Sequence, residues 1–186
     1  MSLALYTLVG IAFLVALFFG LRKLIRTYLT FRGKMLVTCP ETNKPAGVEV
    51  DAGHAAIMSA MGEEDLHLKA CTRWPEREDC GQECLSQIES SPENCLVRMI
   101  LTDWYKDKTC VYCRKAFGEI HWHDHKPALL APNKITVEWQ EIPVEKLPRM
   151  LSTHKPVCWN CHIAETFRRA HPDLVIDRPA NRSHLL

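Results

Sequence analysis

Two Cys-x-x-Cys pairs, Cys110 with Cys113 and Cys158 with Cys161, restrict the possible folds of this chain more than any other feature. Two residues between cysteines let one tight turn point both sulfurs the same way. Two such pairs can then meet on one ion, each sulfur about 2.3 Å from it in a tetrahedron. Distant segments of the chain must converge for that to happen. The second pair also carries a rival meaning, because His162 follows it. Cys-x-x-Cys-His is the attachment pattern of a c-type haem, with His162 as the axial ligand. His154, His171 and Met150 would then be available as distal ligands.

The residues between the pairs supply a scaffold for the first meaning. `TCVYC` is followed by strand-like `EIHWH`, and `APNKITVEW` provides a turn and a second alternating strand. A short helical stretch is expected around Val144–Ser152. A helix is expected over His162–Ala170, with Pro172 as its stop. A thiolate pair on a knuckle, a hairpin, and a second pair at a helix start resembles the treble-clef or zinc-ribbon arrangement. The positive end of that helix would favour the thiolates beneath it. Zinc is the default ion, and iron in a rubredoxin-like site would use the same ligands. His121, His123 and His125 alternate, so on a strand all three face one side with Asp124 opposite. The expectation is a polar strand edge with Trp122 turned inward, the alternative a transition-metal site.

The first half of the chain holds a looser set. Cys39, Cys71, Cys80 and Cys84 could form a second tetrahedral site, with Cys80 and Cys84 on one face if they lie on a helix. Scattered buried thiols are the competing explanation, and Cys95 within apolar `CLVRMIL` is expected to be one. The total of nine cysteines is odd, which argues against a fully disulfide-bonded secreted domain. Short paired spacings fit metal binding in a reducing compartment.

Leu3–Leu21 is a nineteen-residue run without a charge, just long enough to span a bilayer core. A buried core helix would need a polar face. A cleaved signal peptide would need basic residues before the run and a small-residue cleavage pattern after it. Instead Arg22, Lys23, Arg26, Arg32 and Lys34 follow, with no acidic residue before Glu41. Basic residues beside a span tend to stay in the cytoplasm. This places the N-terminus outside and the chain from about residue 22 onward on the cytoplasmic side of the inner (cell) membrane. Leu24, Ile25, Tyr28, Leu29 and Phe31 between the charges would let the helix continue along the headgroups. A cytoplasmic `CWNCH` counts against haem, which is joined to c-type cytochromes on the outer side of that membrane.

The formal net charge is +1, so a basic nucleic-acid-binding surface is not expected. The sequence holds no phosphate-cradling glycine loop, nucleophile elbow or His-Glu-x-x-His. Paired thiols of the thioredoxin type would need a βαβ context. The expected fold is α+β: an anchor over residues 1–34, a first lobe over 35–94 ending at the turn-rich `SSPEN`, and a second over 95–186. Lobes this small bury too little apolar surface to hold themselves without a staple. The expected function is a single-pass, membrane-anchored, zinc-binding interaction protein that holds a protein partner in a membrane complex and has no catalysis of its own. The alternative is an electron-transfer protein with a c-type haem on Cys158, Cys161 and His162, or with an iron–thiolate centre.

Overall fold

A computed structural model describes residues 3–174 except 64 and 78. The expected anchor and second lobe therefore extend beyond the described residues at positions 1, 2 and 175–186. The chain is mixed α and β and opens with one long apolar helix, α1 (Leu3–Phe31). Within it, Tyr6–Phe31 is long and apolar enough to cross a membrane. Leu8, Phe13, Leu14, Phe18 and Phe19 are all more than half exposed, so no protein core covers this stretch. The helix runs through the basic segment after Leu21 and ends at Phe31, two residues short of Gly33.

The chain divides into two compact units: residues 1–103 with 143–148, and residues 104–142 with 149–186. The expected boundary after Asn94 thus falls too early. Leu96 bridges to Met35, and both Cys95 and Leu96 belong to the first unit's core. Pro143–Pro148 also belongs to that unit, because Val144 packs against Gly47 and Thr72 contributes to the same corner.

In the first unit, β1 (Lys34–Cys39), β2 (Lys44–Val50) and β3 (Leu68–Cys71) form an antiparallel sheet in that order. Alternation aims Met35, Val37 and Cys39 inward from β1, and Ala46, Val48 and Val50 inward from β2. Ile88 of α3 (Leu85–Ser90) closes the core, and the short α4 (Pro92–Cys95) adds Cys95. Gly47 is demanded by close approach, since a Cβ there would lie 2.8 Å from Val144 Cβ. Helix α2 (Ala52–Met61) starts where the Asp51 carboxylate accepts from the His54 N–H at 2.9 Å. It stops at Gly62, whose φ of 91° suits a residue without a Cβ. Helix α5 (Val97–Tyr105) leads into the second unit.

There β4 (Ala128–Leu130) lies between β5 (Thr136–Glu138) and β6 (Lys155–Val157), antiparallel to both. Ala128 faces Glu138 on one side and Val157 on the other. Tyr105, fully buried, donates from its hydroxyl to the Ala128 carbonyl at 2.8 Å. Helix α6 (Leu147–Thr153) precedes β6, and α7 (Trp159–Ala170) follows it. The strand expected at `EIHWH` is not formed. The N–H groups of Asp124 and His125 both donate to the His121 carbonyl, so this stretch is a local turn. The three histidines therefore do not share a strand face. Trp122 does turn to another ring, meeting Trp139 edge-on at 5.6 Å.

Candidate metal centre

The chain around Cys110 is a tight knuckle. The Arg114 N–H donates to the Cys110 carbonyl at 2.9 Å, and the Cys110 N–H donates to Lys115 across the turn at 2.9 Å. Arg114 takes a left-handed φ of 61° to close it. The N–H groups of Tyr112 and Cys113 face the Cys110 sulfur. The second pair comes from the end of β6: Cys158 caps α7, Cys161 lies in its first turn, and the His162 N–H donates to the Cys158 carbonyl at 2.9 Å. The Val111 N–H donates to Pro156 at 3.0 Å, which ties the knuckle to β6.

These ties bring the four sulfurs together. Those of Cys110, Cys113, Cys158 and Cys161 all lie within 4.8 Å of one another. Cys113 and Cys158 are 3.7 Å apart. A tetrahedron with arms of about 2.3 Å has edges of about 3.8 Å, so the spacing suits a single bound ion. Zinc and iron both accept this donor set.

The charge on the cluster is unevenly held. Burial opposes ionisation of Cys110, but the N–H groups of Cys158, Cys113 and Tyr112 outweigh it and bring the thiol down to about 6. Burial pushes Cys158 up. It pushes Cys161 up further, reinforced by the neighbouring Cys158, Cys113 and Cys110 sulfurs. At this second pair burial and crowding of the sulfurs both work against ionisation. A cation between the sulfurs would remove that penalty.

His162 is not part of the cluster. It is buried, and its Nε2 lies 3.7 Å from Glu138 Oε1 on β5. His125 meets the ring of Trp159 at 6.2 Å.

The first set takes a different form. Cys39 ends β1, Cys71 ends β3, Cys80 lies in the following loop, and Cys84 stands immediately before α3. Cys80 and Cys84 do not lie on a helix, because α3 begins only at Leu85, so the condition for a shared helical face is not met. All four nevertheless line one cavity of about 40 Å³, together with Arg73 and Trp74. Their sulfurs are not drawn within 4.8 Å as the second set's are. Burial pushes Cys84 up to about 11, with the nearby Cys71 and Cys80 adding to it. At Cys39 the balance is reversed. Burial is outweighed by the Thr42 side chain, the N–H groups of Thr42 and Glu41, and Arg73, so its pKa is lowered. Cys95 is a buried thiol outside both sets.

One group has little signature in the sequence. Asp65 receives His54 Nε2 at 3.0 Å on one carboxylate oxygen and His67 Nε2 at 3.0 Å on the other. His54 comes from α2, and the other two from the approach to β3, so only the Asp-x-His spacing foreshadowed it. Compared with known proteins, the chain matches no family model, no curated protein and no solved structure.

Proposed function

We propose that this chain is a single-pass, membrane-anchored interaction protein whose second unit is a zinc-stapled module of treble-clef type. The unit faces the cytoplasm and holds a protein partner at the inner (cell) membrane, without catalysis of its own. The observation that carries this is the convergence of four cysteine sulfurs, with one edge at 3.7 Å, between a knuckle and a helix start. A unit with a three-stranded sheet of three-residue strands has little core, and a tetrathiolate ion supplies the missing stability.

The anchor rests on α1, and the side on the basic residues from Arg22 to Lys34. A binding role draws on α7, where Ile163 and Phe167 stand four residues apart, 44% and 50% exposed. The haem alternative is disfavoured by the surroundings of `CWNCH`. Cys158 and Cys161 are gathered with Cys110 and Cys113, and the His162 Nε2 is turned to Glu138.

Metal analysis and an absorption spectrum of the full chain in detergent test the proposal. The expected result is a colourless protein containing zinc, with the second unit's zinc lost in Cys161→Ser. A Soret band would restore the haem reading, and the red of a ferric tetrathiolate would make the chain an electron carrier.

A further inference from the structure

The turn at Cys39 shares its backbone bonding pattern with the knuckle at Cys110. The Asn43 N–H donates to the Cys39 carbonyl at 2.8 Å, as Arg114 does to Cys110 at 2.9 Å. Asn43 has a φ of 52° where Arg114 has 61°. Cys39 pairs with Lys44, as Cys110 bonds to Lys115. The N–H groups two and three residues on face each sulfur: Glu41 and Thr42 at Cys39, Tyr112 and Cys113 at Cys110. Among the side chains that differ, one changes the number of thiols. The third position after the cysteine holds Thr42 in the first turn and Cys113 in the second. The first knuckle therefore presents one thiol, and three more must come from elsewhere.

They do come from elsewhere. Cys71, Cys80 and Cys84 line the same cavity as Cys39. We infer that Cys39, Cys71, Cys80 and Cys84 form a second tetrathiolate site, in the first unit, for a thiophilic divalent ion of the zinc class.

The size and setting of the cavity agree with an ion. A volume of about 40 Å³ is far below the roughly 300–1,000 Å³ of organic-ligand pockets. Arg73 Nη1 donates to Cys39 Sγ at 2.7 Å, and Glu41 holds Arg73 at 3.6 Å and Arg77 at 3.0 Å. Such an outer layer orients and charges a ligating thiolate. Between Cys71 and Cys84 the described residues form turns but no helix or strand. Binding would draw the sulfurs inward and fasten this loop to the β1–β2 turn.

The test is zinc per chain on the full protein in detergent, reduced, loaded with zinc and desalted. Wild type should carry two, and Cys39→Ser, Cys84→Ser and Cys110→Ser one each. Cobalt(II)-loaded Cys110→Ser should keep a thiolate-to-metal charge-transfer band that vanishes when Cys84→Ser is added. Should Cys39→Ser or Cys84→Ser fail to fold, Cys110→Ser still decides. A retained ion upholds the site, and an empty protein overturns it. One zinc per wild-type chain, unchanged by Cys39→Ser and Cys84→Ser, would also overturn it. One zinc per wild-type chain, kept in Cys110→Ser and lost in Cys84→Ser, would sink the proposed second-unit staple and leave this site standing.

Discussion

The backbone N–H of Cys158 donates to the sulfur of Cys110 across 3.3 Å. Through this bond the end of β6 orients the knuckle's buried thiol, and Cys110 becomes the anchor of the cluster. Loss of Cys110 should therefore cost more than the roughly 10–100-fold in affinity typical of removing an outer-shell partner. His162, turned to Glu138, should matter little to the ion. In competition with a chromophoric chelator, Cys110→Ser should release the second unit's metal, while His162→Ala should hold it within about tenfold. The reverse order would mean that His162 is the ligand.

Metal uptake by the second set should release protons. Cys158 and Cys161 have raised pKa values and keep their protons at neutral pH, whereas Cys110, at about 6, is already ionised there. The ion binds only thiolates, so affinity rises with pH wherever ligands are protonated. Near pH 7 at least two protons should leave per ion, which makes affinity climb at least about a hundredfold per pH unit. Below about pH 6 Cys110 adds its own proton, and the slope should steepen further. Calorimetry in buffers of different ionisation enthalpy reads the count. Release of fewer than two protons at neutral pH would contradict the assignment.

The features legible in the sequence are those that few residues encode locally. Absence of charge announced α1 from Leu3, and the pair spacing announced the convergence of Cys110, Cys113, Cys158 and Cys161. Helix formers before Pro172 announced α7, which begins three residues earlier than expected, at Trp159. `EIHWH` misled because alternation is only a side-chain pattern. Its backbone bonds close locally on His121, and the paired strand is Ala128–Leu130, too short to show a period. The likeness of the Cys39 and Cys110 turns was hidden for a different reason. It resides in φ and in bonds to carbonyls, and while Asn tolerates a left-handed φ readily, Arg114 gives no such hint. The three-way contact of His54, Asp65 and His67 depends on tertiary placement, which no single segment encodes.

Gly47 has the least room for a Cβ of any glycine in the first unit. Its missing side chain lets Val144 and Thr72 close on β2. In Gly47→Ala the new Cβ would meet Val144 Cβ at 2.8 Å, and neither atom is the free end of a flexible chain. Overpacking of this kind costs about 1–3 kcal/mol. The denaturant midpoint should fall accordingly, and Gly47→Ser should do no better. A neutral Gly47→Ala would show that Val144 can move aside freely.

Tyr105 offers a cleaner measurement in the second unit. Its hydroxyl is buried, its pKa is raised by that burial, and it donates to the Ala128 carbonyl. Tyr105→Phe preserves the ring contacts with Trp104 and Phe117, at 4.8 Å each, and removes only the donor. The carbonyl that loses this partner is on the central strand. Leaving a buried acceptor short of a bond costs about 1–3 kcal/mol. With the proposed metal linked to the fold of this unit, the same change should also weaken metal binding slightly without removing any ligand. Unchanged stability with unchanged affinity would mean that water replaces the hydroxyl.

The proposed orientation rests on charge on one side of α1. Arg22, Lys23, Arg26, Arg32 and Lys34 follow the apolar run. The helix continues to Phe31, so three of these five, Arg22, Lys23 and Arg26, lie on it, close to the proposed membrane end where such residues resist translocation. A fluorescent protein fused after Leu186 should glow, and alkaline phosphatase at the same place should be inactive. Replacing the five with glutamine and adding lysines before Leu3 should shift the pattern toward active phosphatase. That second arm separates a charge-set orientation from one imposed by a partner, which the substitutions would leave unchanged. Strong phosphatase activity in the unaltered fusion would put the second unit outside and bring `CWNCH` back within reach of haem attachment.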